Sequence, residues 1–227
     1  MKNHIRAVGE DWDDFKVVSQ KIKIQHHIAV AKDFGVQDLT AEKVIAVWGS
    51  GLRMEMASYY GHPDPRNVSD EDHNRFLAAF EARDAEFPKQ LQTDTRESHD
   101  RLVRSHLPMF VVTSHLTKNA VKEMGMVGIN SGDYQFIHGS DITVAKKPDP
   151  AAFDQAKAML ANMGIAPEEA IYGGDTIADG QSATEAGLQF LGVTTGNVSA
   201  QEFSDAHFNS VPNLRQFTDY VLFHAMG

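Results

Sequence analysis

The chain of 227 residues has no cysteine, and this absence excludes disulfide bonds, thiolate metal ligands and a cysteine nucleophile. It also has no apolar run close to the roughly 20 residues that a membrane-spanning helix requires. The first residues lack the apolar stretch of a secretory signal. We therefore expect a cytoplasmic protein without a membrane partner.

Positive charge is scarce as well: 21 lysines and arginines stand against 31 aspartates and glutamates, which gives a formal net charge of −10. Nucleic acid is not expected as a partner, because its phosphate backbone requires a basic face. An acidic protein can still bind a small anion where a local cation outweighs the overall field. The 11 histidines are scattered apart from His26 and His27, so most are expected to be surface or packing residues.

Apolar residues recur at helical spacing between residues 19 and 90, and no strand is predicted there. One helix is expected to end at Gly35, a second to run from Thr40 to Gly49, and a third to begin at Ser69. Residues 19–91 are therefore predicted to form a small α-helical module inserted into a larger domain.

The remaining residues, 1–18 and 92–227, alternate between two kinds of pattern. Apolar runs typical of strands occur at residues 5–8, 109–112, 135–138, 170–172 and 190–193, and helical segments occur near 118–124, 151–163 and 179–186. Such alternation predicts βαβ units. The expected fold class is α/β, a doubly wound, Rossmann-like parallel sheet that carries the helical insertion.

Polar side chains follow several of these strands, and ligands bind at the carboxyl ends of strands in parallel sheets. The loops supply four carboxylates, two hydroxyls and an ammonium group: Asp11, Asp13, Thr113, Ser114, Lys147, Asp175 and Asp179. Phosphoryl transfer through an aspartyl-phosphate needs this inventory, because the nucleophile is a carboxylate and a divalent cation lets it approach an anionic phosphate. These residues lie in four short motifs, at residues 11–13, 113–114, 147–150 and 173–179. Each motif alone is more often a turn or a surface feature, but all four occur in order.

The order and spacing of the motifs resemble the haloacid dehalogenase superfamily, and within it the phosphoglycolate phosphatase and β-phosphoglucomutase-like group. The resemblance covers nearly the whole chain and identifies the helical insertion with the family's cap domain. It implies Asp11 as nucleophile and Asp13 as general acid, then base. It also implies that Thr113 and Lys147 are the catalytic residues of the second and third motifs.

By the same resemblance, the cofactor is Mg²⁺. It would be held by a carboxylate oxygen of Asp11, the backbone carbonyl of Asp13, and Asp175, with Asp179 as a further or outer-shell ligand.

Two residues are expected to contact the substrate. Ser114 follows Thr113 in its loop, and Arg53 ends a segment, residues 48–53, that resembles the family's substrate-specificity segment. Arg53 would reach a substrate carboxylate or a second phosphate. The alternative for Arg53 is a solvated helix arginine.

The first motif departs from the family pattern. Gly9 and Glu10 stand where the family has two apolar residues, Asp14 and Phe15 replace Gly and Thr, and Lys16 replaces an apolar residue. We expect the Gly–Glu pair to weaken the burial of the first strand. Phe15 is expected to pack under the cap.

The resemblance favours a Mg²⁺-dependent phosphatase that hydrolyses a small phosphorylated metabolite. The presence of Asp13 speaks against the dehalogenase branch, which lacks this second aspartate. Two alternatives stay open. The altered first motif is also compatible with a catalytically silent binding or regulatory relative of the same fold, and the same residues would serve a phosphomutase.

Overall fold

The computed structural model describes residues 4–48 and 50–225. In chain order, the described strands are β1 (Ala7–Glu10), β2 (Val17–Val18), β3 (Gln90–Leu91), β4 (Met109–Val112), β5 (Phe136–His138), β6 (Ala170–Gly174), β7 (Gln189–Val193) and β8 (Ser210–Val211). The described helices are α1 (Gln20–Asp33), α2 (Ala41–Val47), α3 (Leu52–Tyr59), α4 (Asp70–Ala82), α5 (Thr95–Arg104), α6 (Thr117–Met126), α7 (Asp154–Asn162), α8 (Ile177–Glu185), α9 (Ala200–Asp205) and α10 (Leu214–Ala225).

Six strands form one sheet in the order β5-β4-β1-β6-β7-β8, and every neighbouring pair is parallel. Alternate side chains of the strands enter two apolar clusters, because successive residues of a strand point to opposite faces. Val8 lies in the cluster that contains Leu102 of α5 and Phe217 of α10, whereas Ala7 lies in the cluster that contains Leu160 of α7. Helices thus cover both faces, and the predicted doubly wound α/β fold is confirmed.

The chain divides into two units, with breaks after Val18 and after Lys89. We call residues 1–18 with 90–227 the core unit and residues 19–89 the cap unit. The second break lies two residues before the predicted boundary at 91/92, because Gln90 and Leu91 of β3 pair antiparallel with β2 in a short ribbon.

Strand β1 is the centre of the sheet, between β4 and β6. The strand predicted at residues 5–8 is β1, Ala7–Glu10, so the prediction was wrong by two residues at each end. The expected weak burial was wrong as well: all four β1 residues are buried. A Cβ at Gly9 would lie 2.4 Å from a ring carbon of Phe110 and 2.7 Å from one of Tyr172, so these rings occupy the space that a larger residue would fill.

The described residues of the cap unit form the helices α1 to α4 and a short 3₁₀ turn at Asp84–Glu86. Gly35 has a φ of +80°, and Thr40 and Ser69 cap α2 and α4 with their hydroxyls, as their sequence positions predict. Gly49, the expected end of the second helix, lies outside the described residues. His26 and His27 are buried and pack with aromatic rings, which confirms a packing role for this pair.

Several elements have no counterpart among the sequence predictions, namely α3, α5, α9, α10, the β2–β3 ribbon and β8. The helix predicted over residues 151–163 begins with a 3₁₀ turn, Pro150–Phe153, before α7. Within residues 4–48 and 50–225, no helix has the length and apolar character needed to cross a membrane.

Candidate active site

The three central strands each end in a polar residue of the site. Asp11 follows β1, Thr113 follows β4, and Asp175 follows β6. Because these strands are adjacent and parallel, their carboxyl ends meet at one edge of the sheet. The backbone N–H of Asp11 donates to Gly173 O at 2.9 Å, which extends the strand pairing up to the side chain. All three side chains are buried.

Lys147 joins this edge from the loop that precedes α7. Its Nζ lies 3.0 Å from Asp11 Oδ1, 2.5 Å from Asp179 Oδ1 and 3.1 Å from the Tyr172 hydroxyl, which in turn donates to Val112 O at 2.6 Å. Burial alone would lower the pKa of Lys147, but the two carboxylates raise it well above its ordinary value. Lys147 is therefore a fixed positive charge against Asp11.

The start of α8 holds Asp179, the last residue of the fourth motif, in place. Thr176 Oγ1 accepts from the backbone N–H of Asp179 at 3.2 Å, and Asp179 Oδ2 accepts from the backbone N–H of Thr176 at 3.0 Å, which is a capping box. The other carboxylate oxygen of Asp179 is left for Lys147. Gly174 lets the helix approach closely, because a Cβ there would lie 2.5 Å from the Cβ of Asp179.

Asp11, Asp175 and Asp179 form a buried carboxylate cluster in which one oxygen of each lies within 4.8 Å of the others. Burial raises the pKa of Asp11 to about 7, Lys147 opposes this rise, and Asp179 adds to it. Burial and then the charges of Asp11 and Asp179 raise the pKa of Asp175 to about 9. The three carboxylates carry more negative charge than the single ammonium group of Lys147 can balance. A hard divalent cation with oxygen ligands would balance the excess.

Asp13 lies beside this cluster rather than in it. Its Oδ2 contacts Nε2 of His115, and its backbone carbonyl accepts from the N–H of Phe15 at 2.6 Å. A carbonyl oxygen has a second lone pair, so this bond leaves one position for a cation. Asp13 and His115 also form a second group of potential ligands with Glu123.

A family model described as haloacid dehalogenase-like hydrolase matches residues 11–193. The chain belongs to this family. A phosphoglycolate phosphatase of Pectobacterium atrosepticum is 27% identical over 159 residues, which are 68% of this chain and 66% of the relative. The matched part of this chain thus spans just under two thirds of that relative's length.

Solved structures share the fold of the haloacid dehalogenase-like chain. A predicted phosphoglycolate phosphatase of Haemophilus somnus is 19% identical and aligns with a TM-score of 0.75 over 95% of this chain and 97% of its own. A Thermotoga maritima protein assigned as a β-phosphoglucomutase is 16% identical and aligns with a TM-score of 0.77 over 96% of this chain and 99% of its own. At these identities the likeness concerns the fold alone.

In this haloacid dehalogenase-like chain, Glu10 and Lys16 both depart from the family pattern, and they form an ion pair with each other. Lys16 Nζ lies 2.6 Å from Glu10 Oε2, and both side chains are 1% exposed. Lys16 also donates to the Tyr134 hydroxyl at 3.0 Å, and Tyr134 donates to Glu10 at 3.2 Å. An ion pair with a shared hydroxyl thus replaces two apolar residues of the family pattern, and β1 stays buried because its one charge is paired.

The next two departures from the family pattern are also accommodated. Asp14 takes a φ of +49°, the left-handed conformation that the family's Gly adopts freely and that Asp tolerates better than most residues. The expectation that Phe15 packs under the cap was wrong. Phe15 is fully buried in the core unit, where its ring meets that of Phe217 edge-on at 5.4 Å between centroids.

The two predicted substrate contacts lie in different units. Ser114 is exposed and lines a small cleft with Thr113 and Lys147. Arg53 lies in the cap unit beside a cavity of about 470 Å³, where it donates to Val68 O at 3.0 Å and to Asp70 Oδ1 at 2.5 Å. Its guanidinium group thus has two acceptors within the cap unit.

Three residues of the site were not among the sequence predictions: His115, Tyr172 and Gly196. A Cβ at Gly196 would lie 2.0 Å from Asp175 Oδ2, so the loop after β7 touches the carboxylate cluster. The signals were present. His115 is two residues beyond Thr113 in the same loop, and Tyr172 is a polar-tipped residue near the end of a buried strand, where its hydroxyl needs a partner.

Proposed function

We propose that this chain is a Mg²⁺-dependent phosphatase that hydrolyses a small phosphorylated metabolite through an aspartyl-phosphate. The observation that carries the proposal is the buried carboxylate cluster beside Lys147 and Thr113, at the carboxyl ends of the three central strands. A phosphate monoester is an anion, and an edge rich in carboxylates accepts it only with added positive charge.

In the proposed reaction, an oxygen of the Asp11 carboxylate attacks phosphorus while the bond to the leaving-group oxygen breaks. The proton that this oxygen needs comes from the Asp13 carboxyl group. Asp13, now a carboxylate, then takes a proton from the water that attacks the aspartyl-phosphate, which returns free Asp11 and inorganic phosphate. Lys147 orients Asp11 and partly neutralises it before the attack. The Thr113 hydroxyl donates to an oxygen of the transferring phosphoryl group.

The residues present fit a divalent cation. Asp11 and Asp175 with the carbonyl of Asp13 would hold it, and Asp179, which the capping box and Lys147 already engage, would be a further ligand. When bound, Mg²⁺ supplies charge that draws the anionic nucleophile and the anionic phosphate together.

The named relatives make 2-phosphoglycolate the first substrate to test. Arg53 is the predicted partner for a substrate carboxylate, although it would have to leave Asp70 or share its donors to bind one. An Arg53→Met variant should then raise KM for 2-phosphoglycolate more than for a phosphate ester without a carboxylate.

The observations favour an enzyme over a silent relative. That alternative was motivated by Gly9, Glu10 and Phe15, and each of these has a packing or charge partner that leaves Asp11 at the end of a paired strand. A phosphomutase uses the same groups and differs in whether water or a second hydroxyl accepts the phosphoryl group, so the products of the assay distinguish the two.

The test is a panel of phosphorylated metabolites, including 2-phosphoglycolate and glucose 1-phosphate, assayed for released phosphate with Mg²⁺ and with EDTA. Asp11→Asn should abolish turnover without unfolding the chain. Asp205→Asn is the matched control, because Asp205 is an exposed aspartate at the end of α9 that accepts from Gln201. Transfer of phosphate to a sugar hydroxyl without release would indicate a mutase. Turnover that survives in Asp11→Asn would overturn the proposal.

A further inference from the structure

The loop after β4 holds His115 rigidly by its backbone. The N–H of His115 donates to Thr113 Oγ1 at 3.2 Å, and its carbonyl accepts from the N–H of Ser140 at 2.7 Å. With the backbone fixed on both sides, the ring reaches Asp13, where Nε2 contacts Oδ2. The two side chains are only 15% and 25% exposed, so water competes weakly for this contact.

The same segment holds the neighbour of Asp13. Trp12, which separates the two catalytic aspartates, is fully buried and donates its Nε1–H to Oε2 of Glu123 at 3.0 Å. Glu123 lies on α6, the helix that begins two residues after His115. Residues 115–123 therefore contact the loop that carries Asp11 at two successive residues, Trp12 and Asp13.

A general acid must be placed accurately, because it transfers its proton only within hydrogen-bond reach of the leaving oxygen. Asp13 lies on a loop, and its carboxyl group can rotate about two side-chain torsions. A hydrogen bond from the Nε2–H of His115 to Oδ2 would restrict this rotation and favour one orientation of the carboxyl group. Displacement of about 1 Å is enough to cost on the order of a hundredfold in rate.

We propose that His115 is a positioning residue that orients the carboxyl group of Asp13 toward the leaving-group oxygen. This inference rests on the proposed function. His115 touches neither the nucleophile nor the transferring phosphoryl group in this scheme. Its effect is confined to the step in which Asp13 gives up its proton, and that confinement makes it measurable.

The experiment compares two aryl esters, phenyl phosphate and p-nitrophenyl phosphate, whose leaving groups differ in their need for a proton. His115→Ala should lower kcat for phenyl phosphate by about 10–100-fold, with much less effect on p-nitrophenyl phosphate and on either KM. A structural defect or a lost phosphate contact would lower the rates for both esters alike. Thermal unfolding of each variant shows whether the fold is retained.

Two conservative variants sharpen the test. His115→Gln places an amide N–H2 close to the position of Nε2 and should restore most of the phenyl phosphate rate. His115→Asn carries the same amide at the position of Nδ1, too short to reach Asp13, and should not. Equal losses of kcat on both esters, or no loss of kcat in His115→Ala, would overturn the inference about His115 but not the proposed function. Absence of Asp11-dependent turnover in the wild type would overturn the proposed function and, with it, this inference.

Discussion

Replacement of Lys16 by methionine tests the buried ion pair of Glu10 and Lys16, which lies next to the proposed nucleophile, Asp11. Methionine keeps the unbranched shape of the lysine stem but removes the ammonium group, so Glu10 would stay in the core with Tyr134 as its remaining hydrogen-bond donor. Breaking one partner of a buried pair leaves an uncompensated charge and costs about 3–5 kcal/mol. For a chain of this size, we expect a fall in Tm of about 6–20 °C.

The double variant Glu10→Leu/Lys16→Met should be less damaging than either single change. It replaces the pair by two apolar residues of similar size, which is often neutral or stabilising. It leaves the Tyr134 hydroxyl with neither of these partners and removes the contact of Lys16 with His99 Nδ1 at 3.3 Å, and a buried unsatisfied group costs about 1–3 kcal/mol. We therefore expect a net loss of about 1–3 kcal/mol and a favourable coupling energy between the two positions.

Urea unfolding followed by tryptophan fluorescence measures these losses. The chain has two tryptophans, Trp12 in the core unit and Trp48 in the cap unit, so a Trp48→Phe background makes Trp12 the reporter. Arg215→Met is the matched control, because Arg215 pairs with Glu97 at 2.6 Å and both side chains are 52% exposed; its loss should be at most about 1 kcal/mol. A Lys16→Met loss no larger than that of the control, or additive losses in the double variant, would refute the reasoning.

Three further changes probe the packing of β1 and the charge of the site. Gly9→Ala should cost about 1–3 kcal/mol in urea unfolding, because its Cβ would enter an aromatic ring; Gly125→Ala, in α6 with open space around it, should cause no loss. Gly196→Ala would place a Cβ 2.0 Å from Asp175 Oδ2 and should weaken Mg²⁺ binding measured by calorimetry, whereas unchanged affinity would contradict contact between this loop and the proposed metal ligands. In EDTA, stability should fall as pH rises from the ordinary carboxyl pKa of 3.8 through about 7 and on to about 9. The pKa values of Asp11 and Asp175 are raised in the folded state, so folding favours their protonated forms. This stabilisation is lost as the two carboxyl groups ionise. Mg²⁺ should raise Tm more at the upper end of this range than at the lower, and a Mg²⁺ effect that does not change with pH would contradict the charge argument.

Five of the six strands of the sheet were predictable because they are short apolar runs; β8, only Ser210–Val211, was not. The end of β1 was not predictable, since Glu10 in isolation is typical of a loop. Its burial in the strand depends on contacts with Lys16 and with Tyr134, which is 124 positions away. Helix α5 was missed for a related reason. Its buried positions have helical spacing, but only Leu102 among them is apolar: Thr95, Ser98, His99 and Leu102.

Helix α10 was missed although Leu214, Phe217 and Val221 recur at helical spacing. At the candidate site, the positions of Asp11, Thr113 and Asp175 directly after strands predicted that these side chains lie at one edge of the sheet. The contact between His115 and Asp13 depends on how two loops face each other, and spacing along the chain does not contain that information.

The pairing of Glu10 with Lys16 has a consequence for how this chain can change. If either residue alone is replaced by the apolar residue common in the family, the other is left as an unpaired charge in the core. If both are replaced, no charge is left there. A scan of single substitutions would therefore score both positions as intolerant of leucine, and a profile that treats positions independently would score both residues as defects. Any path between this chain and its more typical relatives must alter the two together, or acquire stability elsewhere before the first step.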